Sequence, residues 1–275
     1  LEEMYLLGRI VRAMGSHNID ARLRRGDFRD GIETAGFAGL ETPVADLENL
    51  DAAFVIGGYP RHEQPLINHR LRKAARNGAE VMVLNPRAFD WNLPLGVEQV
   101  VPADAMPRAL AGVARAVAAL RGVDEPAGLE QWLGMAEADE PARQIAAALV
   151  GDGRRALLLG GLADSHPAGA ELRYLAAEIA RLTGADYGEL TPGANTAGAW
   201  LAGAVPGRMA NGEATDGLDA AAMLATPRQG YILMNVEPEH DFFDGETATR
   251  ALAGAEAVVA LSAYDSPALR EHGDV

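Results

Sequence analysis

Apolar residues are grouped along this chain in two ways. Short unbroken runs occur at Ala53-Phe54-Val55-Ile56, Ala156-Leu157-Leu158-Leu159 and Tyr231-Ile232-Leu233-Met234. Each run ends in a glycine- or asparagine-bearing loop, namely Gly57-Gly58-Tyr59-Pro60, Gly160-Gly161 and Asn235-Val236-Glu237-Pro238, and a helical pattern follows. Strands without polar alternation must be covered on both faces, as parallel strands between helices are. Elsewhere the apolar positions recur at helical spacing. Leu110, Val113, Val117 and Leu120 make one stripe, and Leu172, Leu175, Ile179 and Leu182 another.

The pattern predicts a helix over 2–14, a strand at 53–57, a helix from Pro65 to Gly78, and strands at 80–84 and 99–101. Arg22 to Gly39 has no sustained period and reads as a loop. A helix over 104–121 follows, then a weaker helical segment interrupted by Pro126 and Pro141. The second half gives a strand at 156–160, a helix from Pro167 to Gly184, a strand at 231–235, a helix near 246–253 and a strand at 257–262. Between Gly188 and Gly217 lie seven glycines and too little regularity for a strand or helix. The alternation makes the chain α/β, with parallel sheets flanked by helices in Rossmann-like lobes. The Gly151-Asp152-Gly153 turn suggests lobes at 1–150 and 151–275, with a discontinuous arrangement, 1–25 packing with 226–275, as the alternative.

Composition narrows the chemistry. A formal net charge of −15 argues against nucleic-acid or anionic-membrane contact, which needs clustered cations. There is no cysteine, so thiolate nucleophiles, iron–sulfur ligation and cysteine-based zinc sites are absent from these residues. No apolar run reaches the roughly 18 residues of a membrane span, and Leu1-Glu2-Glu3-Met4 is no cationic leader. Leu1 at the start and the unfinished Glu271-His272-Gly273-Asp274-Val275 at the end suggest a piece of a longer polypeptide.

Candidate chemistry is sparse. Glycine after a parallel strand can bring backbone amides close to a phosphate, yet neither Gly57-Gly58 nor Gly160-Gly161 continues into a spaced dinucleotide fingerprint. They read first as tight turns. Six histidines are scattered, and Pro65 separates His62 from His69. The acidic run Glu237, Glu239, His240, Asp241 and Asp244 matches no calcium loop and reads as helix-capping acids. No Gly-x-Ser-x-Gly elbow is present.

Longer stretches carry a resemblance. Asp51 to Pro60, then Pro65, Leu71-Arg72-Lys73-Ala74, Gly78-Ala79-Glu80 and Asn85-Pro86-Arg87 resemble the molybdopterin oxidoreductase family, whose members run strand, Gly-x-Asn-Pro, helix, Gly-Ala-Lys, strand, Asp-Pro-Arg. Ala194-Asn195-Thr196-Ala197-Gly198-Ala199, with Gly203 and Pro206, looks like the family's loop over the pterin, and Gly273-Asp274-Val275 like the start of its Ala-Asp-Val-Val-Leu-Pro element. Gly15 to Arg24, with Asp27-Phe28, is most similar to one branch, the G subunit of bacterial NADH:quinone oxidoreductase, respiratory complex I.

That branch implies iron–sulfur clusters in an amino-terminal region outside these residues, and partners among the subunits of the complex I peripheral arm. It implies a cytoplasmic location, peripheral to the inner face of the bacterial membrane through the complex, without direct membrane insertion. Where molybdenum-binding relatives carry a cysteine or selenocysteine ligand and then histidine, ungapped counting from Asn18-Ile19-Asp20 reaches Gly26 and Asp27. Tyr59 stands where Asn is usual, and Asn85 where Asp is. The resemblance therefore implies a retained fold and a non-catalytic scaffold role. No cofactor is expected in this segment, and a vestigial pocket would be lined by Gly57, Gly58, Asn85, Arg87, Gly161 and Asn195. Two alternatives stay open: a molybdenum bis-pterin guanine dinucleotide oxidoreductase with Asp27 as metal ligand, and a nucleotide-binding module using Gly57-Gly58 or Gly160-Gly161.

Overall fold

The computed structural model describes residues 1–31, 38–128, 130–191, 193 and 195–275. They form two compact units, one of Arg29–Ala194 and one of Leu1–Phe28 with Asn195–Val275. In the larger unit five strands lie parallel: β1 Ala52–Ile56, β2 Glu80–Asn85, β3 Val97–Val100, β4 Arg155–Leu159 and β5 Asp186–Glu189. Their order is β3-β2-β1-β4-β5, with Val55 opposite both Val83 and Leu158.

The unbroken apolar runs are explained by two cores. Ala53 and Val55 point to one face, where Leu47 of the Val44–Asn49 turn, Leu50 just after it and Leu71 of the Pro65–Arg76 helix cover them. Phe54 and Ile56 point to the other, under the Met106–Arg121, Glu140–Val150 and Gly169–Thr183 helices. Alternate residues of a strand face opposite sides, so a strand buried on both must be apolar throughout.

The structure corrects the sequence reading in several places. Because β4 pairs in register with β1, residues 151–153 turn within one unit, and no lobe boundary lies at 150/151. Parallel strands need a helical crossover, and the Glu140–Val150 helix leads through this turn into β4. Pro141 does not interrupt that helix. It occupies the first turn, where its missing N–H costs nothing, behind an Asp139 cap whose carboxylate accepts from Ala142 N at 2.9 Å. The glycine-rich stretch begins inside strand β5 and contains the Thr196–Leu201 helix. Leu40 packs closely on Gly188 in β5: a Cβ there would sit 2.5 Å from Leu40 Cδ2, so the leucine side chain would have to move. Of the expected loops, residues 32–37, Pro192 and Ala194 lie outside the described residues.

The smaller unit holds β6 Gly230–Met234 and β7 Ala257–Leu261, paired in parallel across the Gly245–Ala253 helix. Asp244 caps that helix, accepting from Thr247 N at 2.9 Å, and Asp219 caps Ala220–Ala225. Asn18 Oδ1 accepts from Leu218 N at 2.9 Å and Asp20 Oδ2 from Ala220 N at 3.1 Å, which fastens residues 18–20 to 218–220. No helix among the described residues is long and apolar enough to cross a membrane.

Candidate functional site

The larger sheet winds outward in both directions from the β1–β4 pair. Open α/β sheets bind ligands beyond the carboxyl ends of their strands, where the winding reverses. Gly57-Gly58 and Gly160-Gly161 leave the sheet at this point, so the crest of β1, β2 and β4 is the candidate site.

Its backbone is closed on itself. Gly57 takes φ +59°, a conformation that favours glycine, and a Cβ there would lie 2.6 Å from both the Cβ and N of Ala163. Gly57 N donates to Leu84 O at 2.8 Å, and its carbonyl accepts from Ala163 N at 3.1 Å. Gly160 N donates to Ile56 O at 2.8 Å. Asn85, 1% exposed at the end of β2, holds Gly58 from both sides: Gly58 N donates to Oδ1 at 3.0 Å, and Nδ2 donates to Gly58 O at 3.1 Å. Across the reversal point, a Cβ on Gly160 would fall 2.3 Å from Gly58 Cα. The two loops touch backbone to backbone.

Tyr59, half-buried, follows Gly58 at this crest. Its N–H donates to Glu63 Oε2 at 3.0 Å and its hydroxyl to Asp90 O at 2.6 Å. Its ring stacks on His62 at 4.9 Å and on Phe89 at 4.4 Å, with Trp91 edge-on at 5.7 Å. Arg87 lies over Phe89, 5.1 Å from the ring centroid. Arg61 pairs with the Asp90 carboxylate at 2.6 Å, a hydrogen bond that raises its pKa.

Beyond β4 and β5 the crest is held by ions. Arg173, 3% exposed, binds Asp30 through two nitrogens at 2.6 and 2.9 Å and Asp164 at 3.0 Å. Arg29 pairs with Glu171 at 2.7 Å. Burial alone would lower the Arg173 pKa, but the hydrogen bond to Asp30 and the charges of Asp30, Asp164 and Glu189 outweigh it, so the group stays fully charged.

Of the residues expected to line a pocket, Gly57, Gly58, Asn85, Arg87 and Gly161 come together here. Gly161 faces open space, with Glu63 Oε1 the nearest atom to a would-be Cβ at 4.0 Å. Asn195 and Asp27 belong to the other unit. Asn195 takes φ 70° ahead of the Thr196–Leu201 helix, and Asp27 is buried and engaged by neighbours. No group of three or more His, Asp or Glu side chains able to hold a metal is present among the described residues. The acidic loop after β6 is used structurally: Asp241 accepts from Glu237 N at 2.8 Å and Glu239 from Ser266 Oγ at 3.2 Å. Sequence reasoning missed the Tyr59 cluster and the Arg173 cluster. Aromatics following both β1 and β2 were the available signal for the first; nothing in the sequence ties Asp30 to Arg173.

A nucleotide phosphate or a pterin held at such a crest needs free backbone donors. The N–H groups of Gly57, Gly58, Tyr59 and Gly160 are already donated within the chain. A ligand would reach these four donors only by displacing their internal partners.

A family model described as Molybdopterin oxidoreductase matches residues 1–267. Formate dehydrogenase H of Escherichia coli (strain K12) is 29% identical over 93 residues, 32% of this chain and 13% of that protein. The F420-dependent formate dehydrogenase subunit alpha of Methanocaldococcus jannaschii is 31% identical over 90 residues, 31% of this chain and 13% of that protein. The matched stretch thus spans 13% of the length of each of these curated relatives. Among solved structures, the formyltransferase/hydrolase complex FhcABCD from Methylorubrum extorquens in complex with methylofuran contains a chain that aligns with a TM-score of 0.60 at 12% identity. The alignment covers 98% of this chain and 74% of that one, a likeness of fold.

Proposed function

The chain belongs to the molybdopterin oxidoreductase family, and from that premise we propose that it is a non-catalytic scaffold region of the G subunit of NADH:quinone oxidoreductase. In this reading it supports electron transfer through iron–sulfur clusters elsewhere in the subunit, and its partners are the subunits of the complex I peripheral arm. The single observation that carries the proposal is the closed crest, where every strand-end donor named above is satisfied by the chain itself. The sequence agrees: Gly26 offers no atom to a metal where molybdenum-binding relatives place cysteine or selenocysteine, and no cysteine stands elsewhere. Gly57, Gly58, Asn85, Arg87 and Gly161 are in this reading the walls of a site that folding has sealed.

The similarity to formate dehydrogenases favours a second reading, a portion of a molybdenum oxidoreductase with Asp27 as ligand. Elemental analysis for molybdenum and tungsten, with pterin fluorescence after oxidation, separates the two on the full-length subunit in its native complex. The scaffold reading expects neither metal nor pterin. Stoichiometric metal and pterin overturn it and make Asp27 the residue to replace.

A further inference from the structure

Tyr59 is surrounded in the way a bound planar ring would be. Two rings lie nearly parallel to it, His62 at 19° and Phe89 at 13°. A third, Trp91, meets it edge-on at 76°. A carbonyl, Asp90 O, accepts from its hydroxyl at 2.6 Å. Offset stacking, an edge contact and one fixed acceptor are the elements by which a pocket recognises an aromatic ligand bearing a hydrogen-bond donor. Phe89, Asp90 and Trp91 come from the loop after β2, and His62 from the short Pro60–Glu63 helix after β1, where open sheets take their ligands.

Tyr59 also follows directly on Gly58, whose N–H and C=O are both clasped by Asn85. The backbone that carries the ring is thus fixed from below, and Glu63 fixes its N–H from the side. An exposed tyrosine anchored only for solubility would need neither clasp nor stack. We infer that Tyr59 is a built-in occupant: its phenol fills a slot on the sheet crest shaped for a planar aromatic ring with a hydrogen-bond donor, and so seals the slot against ligands. This deepens the scaffold reading and rests on it.

The test empties the slot and offers it a replacement. In the intact protein, Tyr59→Ala removes the ring but leaves His62, Phe89, Trp91 and Asp90 O in place. The probe is phenol, the group excised beyond the retained Cβ. The expected result is a lower melting temperature for Tyr59→Ala and a saturable rise of about 3–6 °C when phenol is present at ten times its Kd. Wild type and Tyr59→Phe, whose slots are filled, are expected to show no saturable rise. A folded Tyr59→Ala that ignores the phenol, or a wild type that responds equally, overturns the inference.

If Tyr59→Ala does not fold alone, soluble yield with phenol in the growth medium is measured, and Tyr59→Leu, which fills space without stacking, is assayed beside it. Recovery by the phenol supports the inference, and absence of recovery in both variants overturns it. The scaffold reading is tested separately by titrating wild type with guanosine diphosphate. A thermal shift there overturns both, whereas failed rescue with an unresponsive wild type overturns only the plug.

Discussion

Gly160→Ala is the sharpest test of a crest closed by direct contact, because its neighbour supplies the control. Gly160 sits at φ −97° and ψ 176°, an extended conformation open to any residue, so alanine brings no backbone strain. What it brings is a methyl group 2.3 Å from Gly58 Cα and 2.6 Å from Gly57 O. Carbon–carbon contacts are comfortable at about 3.5–4.0 Å, so the β1 and β4 loops must part by roughly 1–2 Å. Both neighbours are backbone and cannot rotate away, and Gly57 is pinned by Leu84 and Ala163. Overpacking costs about 1–3 kcal/mol, and the upper end applies here. The reduced freedom of the unfolded chain returns about 0.4–1 kcal/mol. A net loss of about 2 kcal/mol corresponds to a fall of roughly 4–8 °C in Tm for a unit of this size. Gly161→Ala receives the same entropic benefit with its nearest atom 4.0 Å away. It should melt at or slightly above wild type. Calorimetry and urea unfolding, read on the transition of the larger unit, measure both variants. If they melt within about 1 °C of one another, the loops are not in contact and the crevice is open.

Asn85→Ala should cost about 1–3 kcal/mol for each of the two Gly58 backbone groups it orphans, seen as a lower urea midpoint; an unchanged midpoint would mean the clasp is incidental. Arg173→Met leaves the Asp30 and Asp164 carboxylates without their guanidinium and should cost about 3–5 kcal/mol. Arg181→Met, which loses only an exposed pair with Glu178, should stay within about 0.5 kcal/mol of wild type. Equal losses in these two variants would refute the distinction. Glu48 is held below the usual carboxylate range by hydrogen bonds from Lys73 and Arg70. A depressed folded pKa stabilises above the unfolded value near ~4.3, and the benefit disappears as pH falls through the folded value. Glu48→Gln should therefore melt below wild type at pH 7 and converge with it as the pH falls through the folded value, a pattern that a pH series of melts checks. A gap independent of pH would show that the charge is not what acts.

The strands β1, β2 and β4 were legible because burial on both faces demands an unbroken apolar run, and these runs are hard to mistake. Strand β5 was not, because Asp186-Tyr187-Gly188-Glu189 has no apolar run and its outer side is covered, among the described residues, only by the short segment 39–41, whose Leu40 packs against Gly188. Pro141 was misread because proline ends a helix from within but is welcome in its first turn, and the two cases differ only in where Asp139 places the cap. The glycines were read as tight turns, and Gly57 is one. That Gly58 and Gly160 meet could not be read, since nothing local brings together residues a hundred positions apart. The same holds for Asp30 and Arg173. Short-range pattern specifies elements; the closure of the crest comes from pairings that only the assembled sheet creates.

These long-range pairings bear on what the fold depends on. A crevice whose donors await a ligand leaves buried polar groups unpaired until the ligand arrives, so stability rises with ligand as RT ln(1 + [L]/Kd). At this crest the same donors are satisfied by Leu84, Asn85, Glu63 and Ile56. These four donors need no ligand to complete them, and the apolar cores on both faces of the sheet supply the cohesion. In the scaffold reading, such a unit is kept for the surfaces it presents. The consequence is measurable: the melting temperature of the larger unit should be the same with and without NADH, guanosine diphosphate or ATP. A ligand-dependent rise would mean that one of these donors exchanges its internal partner for the ligand, and the crest would then be a gate.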